Sequence, residues 1–87
     1  MLPWKEYNHN PNILIADAGD LRVILKHQNT CWQLSMAFRV YTQDGTKSMI
    51  RPAASITHFP KEYTTKEAQT LAYQYVKAFT DGIISAI

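Results

Sequence analysis

The sequence predicts a two-layer α+β domain, in which a four-stranded antiparallel meander is covered on one face by a single C-terminal helix (β-β-β-β-α). Three observations predict it. Residues 64–82 repeat apolar side chains at helical spacing, residues 32–41 alternate between apolar and polar side chains, and short alternating segments separated by turn residues occupy residues 12–56. The 87 residues, 46% hydrophobic and 18% charged, suit a single domain with one small core.

The N-terminal residues 1–11 are expected to form an arm. Pro3, Pro11 and the polar run at residues 8–10 oppose regular structure. Three apolar side chains can hold the arm against the body of the domain: Leu2, Trp4 and Tyr7. The alternative is an arm that binds a partner.

The sheet is expected to span residues 12–56. Its first two strands, residues 12–18 and 21–27, are joined by a turn at Gly19, and a polar loop leads to the third strand at residues 32–41. One side of that third strand carries five large apolar side chains, which predict a central strand facing the helix: Trp32, Leu34, Met36, Phe38 and Val40.

A hairpin is expected after the third strand, because Gly45 can adopt the left-handed conformation that closes such a turn. A three-residue loop pairs Phe38 with Ile50, whereas a two-residue loop pairs Phe38 with Arg51. We expect the three-residue loop, since the other register would place a charge on the core face. Residues 47–56 then form the fourth strand, which its proline ends or bulges.

The helix is expected at residues 64–82. Thr64 and Glu67 fit a capping box, and Gly82 fits the residue that follows the helix end. Six apolar positions share one face: Ala68, Leu71, Ala72, Tyr75, Val76 and Phe79. The apolar tail at residues 83–87 either packs against the seam between helix and sheet or helps to form a dimer.

The sheet face opposite the helix collects basic and aromatic side chains. Its members come from the second, third and fourth strands: Arg22, Lys26, Arg39, Tyr41, Lys47 and Arg51. No Asp or Glu joins them in the expected registers, so this face would attract phosphates, and Tyr41 could stack on an unpaired base. It is the candidate nucleic-acid site. The alternatives are a merely solvated face and a protein or self-association surface.

A second candidate surface lies on the helix and the C-terminal tail. Tyr73 falls on the exposed helix face, where an aromatic side chain can anchor a protein contact or lie partly buried. The tail adds three apolar side chains to this candidate protein-interaction surface: Ile83, Ile84 and Ile87.

Catalysis and metal binding have little support in the sequence. Cys31, the single cysteine, excludes an intrachain disulfide, and only His27 lies near it as a base or a second metal ligand, where a structural zinc site needs four ligands. There is no phosphate-binding Gly-rich loop or catalytic motif, so we expect no enzyme, cofactor or metal. The absence of a long apolar run predicts no membrane span and, with the single cysteine, a cytoplasmic protein.

The pattern resembles a class of small uncharacterised bacterial single-domain proteins. Three features carry the resemblance: the central Trp32, the Asp44-Gly45 hairpin, and the helix opening Thr64-Thr65-Lys66-Glu67-Ala68. It implies the fold and no particular activity. The strand order is also similar to the repeat of PUR-type single-strand nucleic-acid binders, and one such repeat would need to dimerise.

The sequence therefore predicts a small binding domain. With a mild net charge of +2, it is compatible with an anionic partner without requiring one. The expected function is macromolecular interaction, with nucleic acid at the basic sheet face. The alternative is a protein–protein adaptor or inhibitor that acts through the helix face, the C-terminal tail or an edge strand, with a homodimer as one form of it.

Overall fold

The computed structural model describes the backbone of residues 2–86 and the side chains of residues 2–50 and 57–82. Five strands precede one helix: β1 (Lys5–Tyr7), β2 (Asn10–Ala18), β3 (Leu21–His27), β4 (Cys31–Tyr41), β5 (Ser48–Pro60) and α1 (Thr65–Ala86). Each strand pairs antiparallel with the next, in the spatial order β1-β2-β3-β4-β5. The predicted α+β meander with one C-terminal helix is confirmed, but the predicted strand count of four is wrong.

The additional strand, β1, lies within the expected arm. A tight turn at Asn8 and His9 joins it to β2, and both residues have a positive φ, 52° and 60°. Positive φ at both central residues is what the hairpin turns that match strand twist require. The polar run that suggested a break thus makes a turn, because asparagine tolerates the left-handed region. Leu2 and Trp4, just before β1, pack against the core.

The core lies between the sheet and α1. Trp32, near the start of β4, is 1% exposed and is the largest fully buried side chain. The helix contributes a narrow stripe spaced four residues apart, whose small members allow the helix backbone to lie close to the sheet: Ala68, Ala72 and Val76. The sheet contributes the facing side chains: Leu14, Ala16, Val23, Leu25, Leu34, Met36 and Phe59.

Trp32 also fastens the connection between β5 and α1. Its indole Nε1 donates a hydrogen bond of 2.9 Å to the Tyr63 carbonyl oxygen. The ring of His27 stacks on the indole with a centroid distance of 4.1 Å, and His27 Nε2 donates to the Lys61 carbonyl oxygen at 3.1 Å. The start of the helix is therefore tied to the sheet through one aromatic pair.

The predicted capping box is confirmed. The Glu67 amide donates to Thr64 Oγ1 at 3.1 Å, and the Thr64 amide donates to Glu67 Oε1 at 3.0 Å. The hydrogen bond from the Thr64 amide lowers the pKa of the Glu67 carboxyl, and the Thr64 hydroxyl lowers it further by a smaller amount. These reciprocal bonds satisfy two donors at the helix end that have no partner within the helix.

The predicted end of the helix at Gly82 is wrong. The helix continues through Gly82 to Ala86, and Gly82 is not among the residues with a positive φ. A glycine inside a helix costs roughly 1 kcal/mol relative to alanine. This cost alone does not end the helix at Gly82. Residues 83–86 thus extend the helix instead of forming a separate tail. Their side chains and Ile87 lie outside the described residues.

The predicted register of the β4–β5 hairpin is also wrong by one residue. The Thr42 amide donates to the Lys47 carbonyl oxygen, Val40 lies opposite Met49, and Phe38 lies opposite Arg51. The three-residue loop was favoured because the other register would bury charge. That premise fails, since Phe38 is 38% exposed and its position is not part of the core.

Hydrogen bonds to Asp44 hold the loop of this hairpin. Its carboxylate accepts from the Thr42 hydroxyl and from the amide and hydroxyl of Thr46, and these bonds lower its pKa to about 2. Gly45 has a φ of 73°, as the turn prediction required. Side-chain bonding within the turn thus sets the register that hydrophobic patterning did not identify.

Two bulges allow β5 to continue past Pro52. The pairing with β4 shifts between Leu34 and Ser35 and again between Met36 and Ala37. β5 has 13 residues against 11 in β4, which two extra residues explain. Residues 57–60, which lie beyond the predicted end of the sheet at residue 56, are also strand. Bulges bend a strand and increase its twist, so β5 curls relative to β4.

Trp32 variants test the role of this side chain in stability. Trp32→Ala should lower the free energy of unfolding by about 3–5 kcal/mol, because it removes a large core side chain. Trp32→Phe keeps most of the volume but leaves the Tyr63 carbonyl without its donor, and should cost about 1–3 kcal/mol. Urea unfolding followed by circular dichroism measures both. A cost near zero for Trp32→Ala would contradict its place in the core.

Candidate functional site

The outer face of the sheet, which points away from α1, is a curled surface. Alternation along the strands puts Ile15, Ile24 and Ser35 side by side on this face. Tyr7 from β1 and Ile50 from β5 line the same groove, although their strands form opposite edges of the sheet. The sheet therefore curves toward its outer face, where the sequence had predicted an open surface.

A groove of about 310 Å³ occupies the centre of this face. Five of its seven lining side chains are apolar or aromatic, and two are basic: Tyr7, Ile13, Ile15, Ile24, Ile50, Arg22 and Lys26. Because the four isoleucines that line the groove lie on the outer face, the alternating pattern placed them at ordinary outward positions. A signal was present in β2 and β3, where isoleucines stand at three outward positions that a purely solvated strand fills with polar residues.

An ion pair lies beside the groove. Arg22 donates to both carboxylate oxygens of Asp17, from Nε at 2.7 Å and from Nη2 at 3.0 Å. This hydrogen bonding lowers the pKa of Asp17 and raises the pKa of Arg22. The expectation that no acidic residue joins the basic face is therefore wrong. The two residues are direct partners across β2 and β3.

The other predicted nucleic-acid residues are only partly brought together. Arg39 donates from Nη1 to Ser48 Oγ at 3.0 Å, and the Tyr41 hydroxyl donates to Asp20 Oδ1 at 2.7 Å, which raises the pKa of Tyr41. Lys26 is exposed and lines the groove.

Two members of the predicted basic set do not align with Arg39 and Tyr41 in the ladder. The partners of Arg39 and Tyr41 on β5 are Ile50 and Ser48. Lys47 and Arg51 each lie one residue away from these partners along the chain, so the ladder does not place them beside Arg39 and Tyr41. Lys47 is exposed next to the hairpin loop. The side chain of Arg51 lies outside the described residues.

A second surface lies on the helix side of the β4–β5 hairpin. It is called the hairpin patch here and consists of Phe38, Val40 and Met49, which are 38%, 40% and 52% exposed. Val40 and Met49 are directly opposite, and Phe38 is the next residue of β4 on the same face. The sequence predicted Phe38 and Val40 as core. The predicted face of these two side chains is correct, but the prediction that they are buried is wrong.

The predicted protein-interaction residues are described only in part. Tyr73 is 38% exposed on α1, so its ring is available for contact. The side chains of Ile83 and Ile84, and Ile87 as a whole, lie outside the described residues. Two further aromatic side chains of α1, Tyr75 and Phe79, are exposed, and the ring of Tyr75 lies 5.8 Å from that of Phe59.

Groups that could carry chemistry are sparse in the described part of the chain. The residues that the structure describes contain no cluster of three or more His, Cys, Asp or Glu side chains that could hold a metal ion. Cys31 is a free, partly buried thiol that lies 3.7 Å from Gln28 Oε1. Within the described residues, no helix combines the length and apolar character needed to cross a membrane.

Comparison with known proteins adds no relative. No protein-family model, curated protein or solved structure matches this chain significantly. The resemblance to small bacterial proteins and the similarity to PUR-type repeats therefore stay predictions. The groove and the hairpin patch are the two surfaces whose geometry bears on function.

The Asp17–Arg22 pair makes a testable prediction about pH. Because the folded-state pKa of Asp17 lies below its ordinary value of 3.8, its contribution to stability is present above that value and is lost as the pH falls through the lowered pKa. Carbon-13 NMR of the Asp17 carboxyl should show the lowered pKa in the native protein. In Arg22→Gln, it should return toward 3.8. An identical pKa in the two proteins would contradict the pairing.

Proposed function

We propose that this chain is a non-catalytic macromolecular-interaction domain whose partner is a protein that packs on the hairpin patch. One observation carries the proposal. Phe38, Val40 and Met49 are large, adjacent and exposed on the same side of the sheet that elsewhere forms the core. A contiguous exposed apolar patch is typical of a protein contact, whereas single exposed apolar residues are ordinary.

The edge of the sheet adds hydrogen-bonding capacity next to this patch. β5 is the last strand, so the backbone groups on its outer edge have no neighbouring strand in the sheet. An incoming strand could pair there and lay its side chains beside Met49. Pro52 lacks an amide proton, which confines such pairing to the first residues of β5.

A second copy of the chain is the first partner to consider. Antiparallel pairing of two identical edges is self-complementary, and it would bring the two Met49 side chains near the symmetry axis. Pairing of the two β5 edges gives the homodimer hypothesis a defined contact surface. The competing hypothesis is a contact through the exposed Tyr73 of α1. The other residues predicted for that contact, Ile83, Ile84 and Ile87, lie outside the described side chains.

Analytical ultracentrifugation tests self-association. The native chain should form a dimer, and the double variant Val40→Glu/Met49→Glu should be monomeric because it places charge in the apolar contact. Both changes are at exposed positions, so the fold should persist in the circular dichroism spectrum. Gln43→Glu adds one negative charge in the loop of the same hairpin, so it is the matched control for each single change, Val40→Glu and Met49→Glu, and should remain dimeric.

Two results would reject this dimer. A native chain that is monomeric at about 1 mM would have an association free energy weaker than roughly 4 kcal/mol, too weak for a specific homodimer. A dimer that survives the double variant but dissociates in Tyr73→Ala would move the contact to the helix.

Nucleic acid is the second candidate partner, favoured by the charge of the outer face. Four cationic side chains lie on the described part of that face: Lys5, Arg22, Lys26 and Arg39. The exposed rings of Tyr7 and Tyr41 offer stacking surfaces. The support is weaker than for a protein, because Arg22 is neutralised by Asp17 and the groove between these cations is apolar.

Titration of labelled single-stranded DNA and RNA at low and physiological salt tests this second candidate. Binding at the outer face should weaken with salt and with Arg39→Glu, because cationic side chains displace counterions from phosphates. Lys66→Glu makes the same charge change on α1 and should have a smaller effect. Equal loss in the two variants would indicate attraction to net charge only, and no binding at low salt would reject a nucleic-acid function.

A further inference from the structure

We propose that the groove on the outer face binds a small amphiphilic carboxylate, with its apolar body against the isoleucines and its carboxylate at Lys26. The site is separate from the hairpin patch, and the proposal does not depend on the partner proposed for that patch. Three properties of the groove support it, namely its lining, its volume and its single uncompensated charge.

The walls of the groove select an apolar body. Ile15 and Ile24 are direct partners in the centre of the sheet, and Ile13 and Ile50 extend the apolar surface along it. Tyr7 contributes a ring at one edge. Ligand sites in proteins combine predominantly apolar walls with a few placed polar groups, and this groove has that composition.

The volume limits the ligand to a small molecule. At about 310 Å³, the groove is near the lower end of the range of roughly 300–1,000 Å³ for ligand pockets. It corresponds to about ten water volumes, so a molecule of about ten non-hydrogen atoms fills it. Octanoate has that size.

The charge at the groove selects an anion. Of the two basic lining residues, Arg22 is bound at both carboxylate oxygens of Asp17. Among the described residues, Lys26 makes no ion pair and is exposed at the groove. One flexible ammonium group beside an apolar surface favours a ligand with a single negative charge.

The position of the groove disfavours a polypeptide strand as the occupant. Its central residues belong to β2 and β3, which have hydrogen-bonded neighbours on both sides. The backbone of these strands has no free edge to pair with, so recognition must come from side chains. A compact amphiphile uses side chains alone, whereas an extended peptide gains much of its affinity from backbone bonds.

Methyl NMR titration with octanoate tests the proposal on the full chain. The δ1 methyl groups of Ile13, Ile15, Ile24 and Ile50 should shift in a saturable manner. The methyl groups of Val23 and Leu25 are the internal reference, because they point into the core from the other face of β3. Their shifts should stay small.

The ligand series separates charge from apolar contact. Octanoate should bind more tightly than octanol, and octanol more tightly than octylammonium, although all three share the same chain. Lys26→Glu should weaken octanoate roughly tenfold, as expected for the loss of a charge-assisted bond. Lys47→Glu makes the same charge change outside the groove and should leave the affinity unchanged.

The Asp17→Asn variant provides a second, opposite test. It removes the carboxylate that neutralises Arg22, so octanoate should bind more tightly than it does to the native chain. Lys26→Gln guards against a failure of Lys26→Glu to fold, and unchanged Val23 and Leu25 signals establish the fold in each variant.

Three results would overturn the proposal. The first is an absence of saturable shifts at the four isoleucines, and the second is octylammonium binding as tightly as octanoate. The third is a native dimer whose interface covers the four isoleucines, which would make the groove a contact between two copies of the chain.

Discussion

The hydrogen bond between the Trp32 indole and the Tyr63 carbonyl is the constraint on which the rest of the structure depends. It joins β4, the strand beside the edge strand β5, to the residue before the capping box, so the helix starts at a defined point above the sheet. From that point, three side chains of the helix cover part of the core face of the sheet: Ala68, Ala72 and Val76. The helix position therefore also determines which part of the sheet stays uncovered.

The bulges of β5 link the two candidate surfaces. They bend the strand, and this bend carries Ile50 toward Tyr7 across the outer face, which produces the groove. The same strand packs against the core at Phe59 and exposes Met49, which belongs to the hairpin patch. A flat sheet would have no concave outer face, so the bulges shape the groove, and β5 contributes a side chain to each surface.

Sequence patterning predicted the parts of the fold that depend on local rules. The capping box at Thr64 and the left-handed Gly45 are set by backbone chemistry within a few residues, and both are found. The short hairpin at Asn8 was missed, because two prolines outweighed a turn signal of only two residues. The hairpin register was missed because bonding to Asp44 within the turn sets it, and because the premise that no charge can lie opposite Phe38 ignored that Phe38 is exposed.

The candidate sites show a sharper limit of sequence reasoning. Alternation assigns a side chain to a face, but it does not reveal which faces curve or which charges pair across strands. The predicted basic face included Arg22 as a free cation, but Asp17 pairs with it across β2 and β3. The four isoleucines that line the groove come together only because the sheet curls. Exposed apolar side chains lose the favourable transfer that burial would bring, about 25 cal/mol per Å². A chain this small has little core to spare, so the exposed apolar side chains of the hairpin patch support the proposed contact with a partner.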